Sequence, residues 1–300
     1  MVDDLVARLP VRAPFDGGAL LAWLAARAVP GVEEVDGALY RRSLSLPHGP
    51  GVVELAMGAD SVNGRLWLED ERDVAPAEQL CRRLLDLDAD PLVVAGHLGS
   101  DALLGALVRT APGLRVPGSV DGAELAVRAV LGQQISVAAA RTGAGRLVAE
   151  YGEALPRPRG TVTALFPSSA VLAALDPARL PMPRARAVAL IGLSRALAGG
   201  DLRLDPGADR AEARRRLLAL RGVGPWTAGY VAMRALGDPD VFLAEDLGVR
   251  RALHRLGGPD DVRAARALAA GWAPWRSYAS QHLWQAPASP GPSNVGLPMS

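Results

Sequence analysis

Residues 217–230, LLALRGVGPWTAGY, leave the chain few ways to fold locally. An amphipathic run ends at Leu220, two glycines bracket Val223, and Pro225 stands where a new helix can begin, because its missing N–H is one that a first helical turn leaves unpaired anyway. The pattern predicts two helices joined by a tight hairpin, Gly222-Val223-Gly224. With no side chains at 222 and 224, the amides that open the second helix can point at a phosphate, and the helix dipole adds to the attraction. Such a hairpin grips a backbone without reading bases. Taken alone, the same residues also describe an αα-corner whose glycines only permit a sharp turn.

Around this hairpin the chain divides in two. Residues 20–28 read as a helix with Asp16 as its cap, and β-prone runs follow at 39–46, 52–57 and 62–68, separated by the turn signals Pro47-His48-Gly49-Pro50 and Asn63-Gly64. From about Ala77 onward apolar residues recur at i, i+3, i+4, which predicts helices over 122–131, 138–151, 168–175, 185–198, 211–220 and 226–236. The fold class is therefore α+β. A small mixed α/β domain is expected over 1–92 and an all-α part over 93–286, while the Pro-, Ser- and Gly-rich tail 287–300 is expected to be disordered.

Composition removes several chemistries. All 33 basic residues are arginines, so no lysine amine is available for a Schiff base. Cys81 is the single cysteine, which excludes an internal disulfide, a cluster held by several thiolates and a Cys-rich zinc site. No run of about 20 apolar residues exists to span a membrane, and Asp3 and Asp4 stand where a signal peptide would be basic, so the cytoplasm is expected. The net charge of +1 hides an asymmetry: residues 1–100 carry −7 and residues 101–300 carry +8. The basic part can face a polyanion; equally, its arginines can simply solvate helices.

Downstream of the hairpin, Val241-Phe242-Leu243-Ala244 runs into Glu245-Asp246 at the start of another helix. A helix–hairpin–helix, a Gly/Pro-containing loop and an aspartate about twenty residues on resemble the HhH-GPD superfamily of DNA base-excision glycosylases. Residues 271–284, GWAPWRSYASQHLW, residues 131–137, LGQQISV, and the opening 9–29 narrow the resemblance to the 3-methyladenine-DNA glycosylase II, or AlkA, type. It covers roughly residues 9–286. It implies a TATA-binding-protein-like sheet before a two-lobed helical glycosylase core, and a monomeric, monofunctional enzyme that flips alkylated bases out of duplex DNA and hydrolyses them off.

Carried over residue by residue, the resemblance makes Asp246 catalytic, although by itself it reads as a helix cap. A fixed carboxylate would stabilise the positive charge that develops on the sugar, or would orient water. Trp226, Tyr230 and Trp284 are implied as the base pocket, whose π faces favour cationic N-alkylated purines, whereas Trp272 and Trp275 read as core. Trp226 occupies the slot where lyase-active members carry a lysine. Gly222, Val223 and Gly224 would hold the DNA backbone, and Gln134 stands where better-known members place a leucine wedge. No cofactor is expected beyond a structural monovalent cation on the backbone carbonyls of Leu218, Leu220 and Gly222. Two rival functions remain: a DNA-binding protein without catalysis, and methyl transfer to the Cys81 thiol.

Overall fold

Alternating burial builds the first part. In the computed structural model, which describes residues 2–286, β1 (Val2–Pro10) and α1 (Gly17–Arg27) precede β2 (Glu33–Asp36), β3 (Leu39–Leu46), β4 (Gly49–Met57) and β5 (Ser61–Leu68). The tail 287–300 lies outside the described residues. The strands form one antiparallel sheet in the order β1-β5-β4-β3-β2. Asp16 caps α1 by accepting the Ala19 N–H at 2.8 Å. Helices α1 and α2 (Val74–Leu84) cover one face, where Leu20, Leu24, Ala77 and Leu84 meet Tyr40, Leu44, Leu55 and Leu66 of the strands.

Two expectations are corrected. Asn63-Gly64 does not turn the chain; it lies inside β5, with Gly64 opposite Leu55 on one side and Ala7 on the other. A Cβ at 64 would come within 3.3 Å of the Leu55 side chain, so glycine provides cross-strand clearance, while the turn is closed by Gly58 N–H to Ser61 O at 3.0 Å. Nor is the second part all-α. It contains a hairpin, β6 (Glu153–Arg159) and β7 (Val162–Leu165). Pro156 and Pro158 rule out a helix there, and an edge strand tolerates them. The hairpin buries Leu155 and Val162 against Val52 and Trp67 of the large sheet, a contact between segments a hundred residues apart.

The remaining elements are α3 (Pro91–Leu98), α4 (Gly105–Thr110), α5 (Gly122–Leu131), α6 (Val137–Tyr151), α7 (Ser169–Ala173), α8 (Arg184–Ala198), α9 (Arg210–Ala219), α10 (Pro225–Arg234), α11 (Leu247–Arg255), α12 (Val262–Leu268) and α13 (Arg276–Gln285). They pack as two lobes. One is centred on Val130, Leu147, Leu190 and Leu217, the other on Leu98, Leu104, Leu253 and Trp272. Helix α10 is the shared wall, giving Ala228 and Val231 to the first lobe and Ala232 and Met233 to the second. Buried charges join the sheet to the first lobe: Arg42 of β3 bonds Glu124 of α5 at 2.8 Å, and Arg128 of α5 bonds Glu33 of β2 at 2.8 Å. Among the described residues no helix is long and apolar enough to cross a membrane.

Candidate active site

Helix α11 begins at Asp246, and the capping geometry also builds the site. The Asp246 carboxylate accepts the Val249 N–H on Oδ1 at 2.9 Å, as an N-cap does. The same group takes two indole donors, Trp226 Nε1 on Oδ2 at 2.8 Å and Trp284 Nε1 on Oδ1 at 2.9 Å. A carboxylate offers about four lone-pair sites, so three donors fix it and leave one open. Gly248 makes the arrangement possible, because a Cβ there would lie 3.1 Å from Asp246 Oδ1 and 3.2 Å from Trp284 Cδ1.

Trp226 and Tyr230 are one turn apart on α10, and their rings stack with centroids 5.3 Å apart and planes 12° apart. Trp284 on α13 meets Tyr230 edge-on at 6.2 Å. All of these residues and Asp246 line one cavity of about 340 Å³ between the lobes. Glu245 does not line it, because its carboxylate is paired with Arg266. Trp272 is buried with its Nε1 on Asp101 Oδ2 at 2.8 Å, and Trp275 packs edge-on against Tyr278, as core residues do.

Sequence reasoning missed the cavity's other wall. Trp23, on α1 of the sheet part, packs 5.4 Å from Trp284, and the Arg27 guanidinium lies 3.3 Å from the Trp23 ring centroid. Arg234 is buried with Nε on Pro117 O at 2.6 Å, Nη2 on Gly118 O at 3.0 Å and Nη1 on the Tyr230 hydroxyl at 2.5 Å. Burial alone would raise the Tyr230 pKa, but Arg234 and Arg27 outweigh it and lower the phenol below its ordinary value. Trp23 and Arg27 share a helix face four residues apart, the only local signal they carry, and no spacing rule links residue 23 to residue 284.

The hairpin takes the expected form. Gly222 has φ +83°, Gly224 is the N-cap of α10, and no side chain caps the amides behind it. Gln133 braces the turn, with Nε2 donating to Gly222 O and to Thr227 Oγ1, both at 2.9 Å. Gln134, at φ +58°, is exposed and outside the cavity lining, whereas its neighbour Ile135 is exposed and lines the cavity. Of the carbonyls expected to hold a cation, that of Leu220 accepts the Val223 N–H at 3.1 Å and that of Gly222 accepts Gln133, each keeping one lone pair. Cys81 is 1 % exposed in α2, and burial pushes its thiol up to about 12, which removes the thiolate that methyl transfer needs.

Comparison with known proteins agrees with the fold. Residues 6–121 match the description AlkA N-terminal domain, and residues 127–276 match HhH-GPD superfamily base excision DNA repair protein. The chain is 53 % identical over 277 residues to a probable bifunctional transcriptional activator/DNA repair enzyme AlkA of Mycobacterium tuberculosis, covering 92 % of this chain and 56 % of that protein. It thus spans little more than half the length of that relative. It is 39 % identical over 280 residues to DNA-3-methyladenine glycosylase 2 of Escherichia coli, covering 90 % of this chain and 94 % of the relative. Its fold matches a 3-methyladenine DNA-glycosylase from Archaeoglobus fulgidus with a TM-score of 0.79 at 21 % identity, over 93 % and 97 % of the two chains.

Proposed function

Because the chain belongs to the HhH-GPD superfamily of base excision DNA repair proteins, with an AlkA N-terminal domain, we propose that it is a monofunctional DNA glycosylase. It hydrolyses the N-glycosidic bond of alkylated purines of the 3-methyladenine and 7-methylguanine type in duplex DNA. In this reading it works as a monomer in the cytoplasm, on DNA, and leaves an abasic site.

The observation that carries the proposal is the Asp246 carboxylate, held by two cavity indoles at 2.8 and 2.9 Å. A base rotated out of the helix enters the cavity and stacks on the faces of Trp226, Tyr230 and Trp284. The C1′–N bond breaks with its electron pair going to the base. Positive charge then develops on the sugar, where the open lone-pair site of Asp246 stabilises it, and a water oxygen bonds C1′ and sheds a proton to solvent. A purely DNA-binding role would need neither a cavity nor a carboxylate clamped inside it.

Backbone grip falls to the uncapped amides behind Gly222, Val223 and Gly224, and Gln134 fills the gap left by the flipped base. A monovalent cation on the carbonyls of Leu218, Leu220 and Gly222 would add positive charge beside the same phosphate. With no lysine in the chain, no lysine-derived Schiff base forms, so the product strand stays intact. The test is incubation of the purified chain with methylated duplex DNA, with free methylpurines measured by chromatography and strand integrity by gel. Free base with unbroken abasic DNA is expected, and no released base overturns the proposal.

A further inference from the structure

Helix α5 ends at Leu131 and α6 begins at Val137, so residues 132–136 form a loop between them. Gln134 stands in that loop at φ +58°, in the left-handed region that side chains other than those of Asn and Asp seldom enter. Such a conformation persists only where its surroundings over-determine it. Gln134 and Ile135 are themselves exposed, so the residues that flank them must do the fixing.

Ser136 anchors one side by capping α6, its Oγ accepting the Ala139 N–H at 3.2 Å. Gln133 anchors the other side through three bonds. Its Nε2 donates to Gly222 O and to Thr227 Oγ1, both at 2.9 Å, which uses both protons of the amide, and its carbonyl accepts Arg186 Nη2 of α8 at 2.7 Å. Gly222 belongs to the hairpin and Thr227 to the first turn of α10. One side chain therefore spans the element proposed to hold the DNA backbone. Gln133 is not among the residues lining the cavity, so it acts on the reaction only through others.

Resting on the glycosylase reading above, we infer that Gln133 is a positioning residue that locks the loop tip, Gln134 and Ile135, to the hairpin, so that seating a phosphate on the hairpin sets where the tip enters the duplex. The bonds make hairpin and loop one rigid body, and the reach from backbone to tip is fixed before DNA arrives. Without the amide, the loop is free to return Gln134 to negative φ, which redirects its side chain. The hairpin does not depend on Gln133 in the same way, because its turn is closed by the Val223 N–H on Leu220 O at 3.1 Å. Grip and insertion are thus separable, and Gln133 serves insertion.

The experiment is single-turnover excision by the full chain and by Gln133→Met from duplexes carrying one 7-methylguanine, opposite cytosine or opposite adenine. Affinity for an undamaged duplex and the melting temperature are measured for each protein. Methionine keeps a stem of similar length but donates nothing, and Gly222 is exposed, so water can take up its carbonyl. Excision opposite cytosine is expected to fall about 10-fold in the variant, as for loss of two neutral hydrogen bonds. Opposite adenine, where unstacking costs less, the fall is expected to stay within about 2-fold, with undamaged-duplex affinity unchanged. Should Gln133→Met melt early, Arg186→Met releases the same residue from its other anchor, and the same selective loss is expected. Equal losses on the two duplexes, no loss, or a fall in undamaged-duplex affinity large enough to account for the loss overturns the inference while leaving the glycosylase reading in place. A wild-type chain that releases no base from either duplex overturns both.

Discussion

Asp246 shows how one residue serves two ends. Its cap bond to Val249 and its two indole bonds use the same carboxylate, so the helix start and the pocket wall are a single construction. Asp246→Asn keeps shape and volume but removes the charge. Base release is expected to fall at least about 100-fold, by analogy with a deleted electrostatic donor, with duplex affinity unchanged; near-normal turnover in a single-turnover assay would sink the assignment. Gln134 is exposed, whereas Gln133 is tied to Gly222 and Thr227. Alanine meets the same positive-φ cost as glutamine at 134, so Gln134→Ala isolates the side chain's role. It should impair excision from stable pairs more than from mismatched sites, where unstacking costs less. Equal effects would redirect the wedge to Ile135, which already lines the cavity.

At the scale of elements, the two hairpin glycines separate by mechanism. A Cβ at Gly222 would meet Ala189 Cβ at 2.6 Å, at a φ of +83° that L-residues avoid, so Gly222→Ala should destabilise the fold by about 1–3 kcal/mol and lower the melting temperature. A Cβ at Gly224 meets nothing within 4 Å. Gly224→Ala should therefore melt normally and yet weaken binding to all duplexes alike, because its methyl would stand beside the uncapped amides proposed to hold phosphate. A loss confined to particular sequences, in titrations across several duplexes, would contradict a backbone-gripping role. The helices of this region were largely legible: 122–131 appears as α5 without change, and Pro225 opens α10 as its geometry demands. The β6–β7 hairpin was not, because alternation over so short a stretch means nothing until Val52 and Trp67 are there to receive it.

For the whole molecule, the joints between its parts carry the pH response. Asp86, at the end of α2, accepts the Val116 N–H at 3.0 Å and the Tyr278 hydroxyl at 2.8 Å on Oδ2, tying the sheet part to α13. Burial pushes its carboxyl up to about 6 despite these bonds. Between about 4, the ordinary value for an aspartate, and about 6, the folded chain holds a proton that the unfolded chain has released. Stability should therefore fall as pH rises through that window. Asp86→Asn, which keeps an acceptor and suits φ +54°, should abolish that slope and raise stability at pH 7 by about 1 kcal/mol in denaturant titrations. Unchanged stability at both pH 5 and pH 7 would show that the group is charged throughout. What the sequence by itself determined is local and periodic: the glycine-proline hairpin, most helices, three strands of the sheet, the carboxylate at a helix start, and the exclusion of lysine and multi-thiol chemistry. Those features follow from backbone sterics and from residues a few positions apart. Only the tertiary structure decided that Asp246 rather than Glu245 faces the cavity, that Trp23 and Arg27 of the first helix form its far wall, and that Gln133 ties its loop to the hairpin. Each depends on segments brought together across as many as 260 residues, where packing and paired charges choose the partners and no local pattern records the choice.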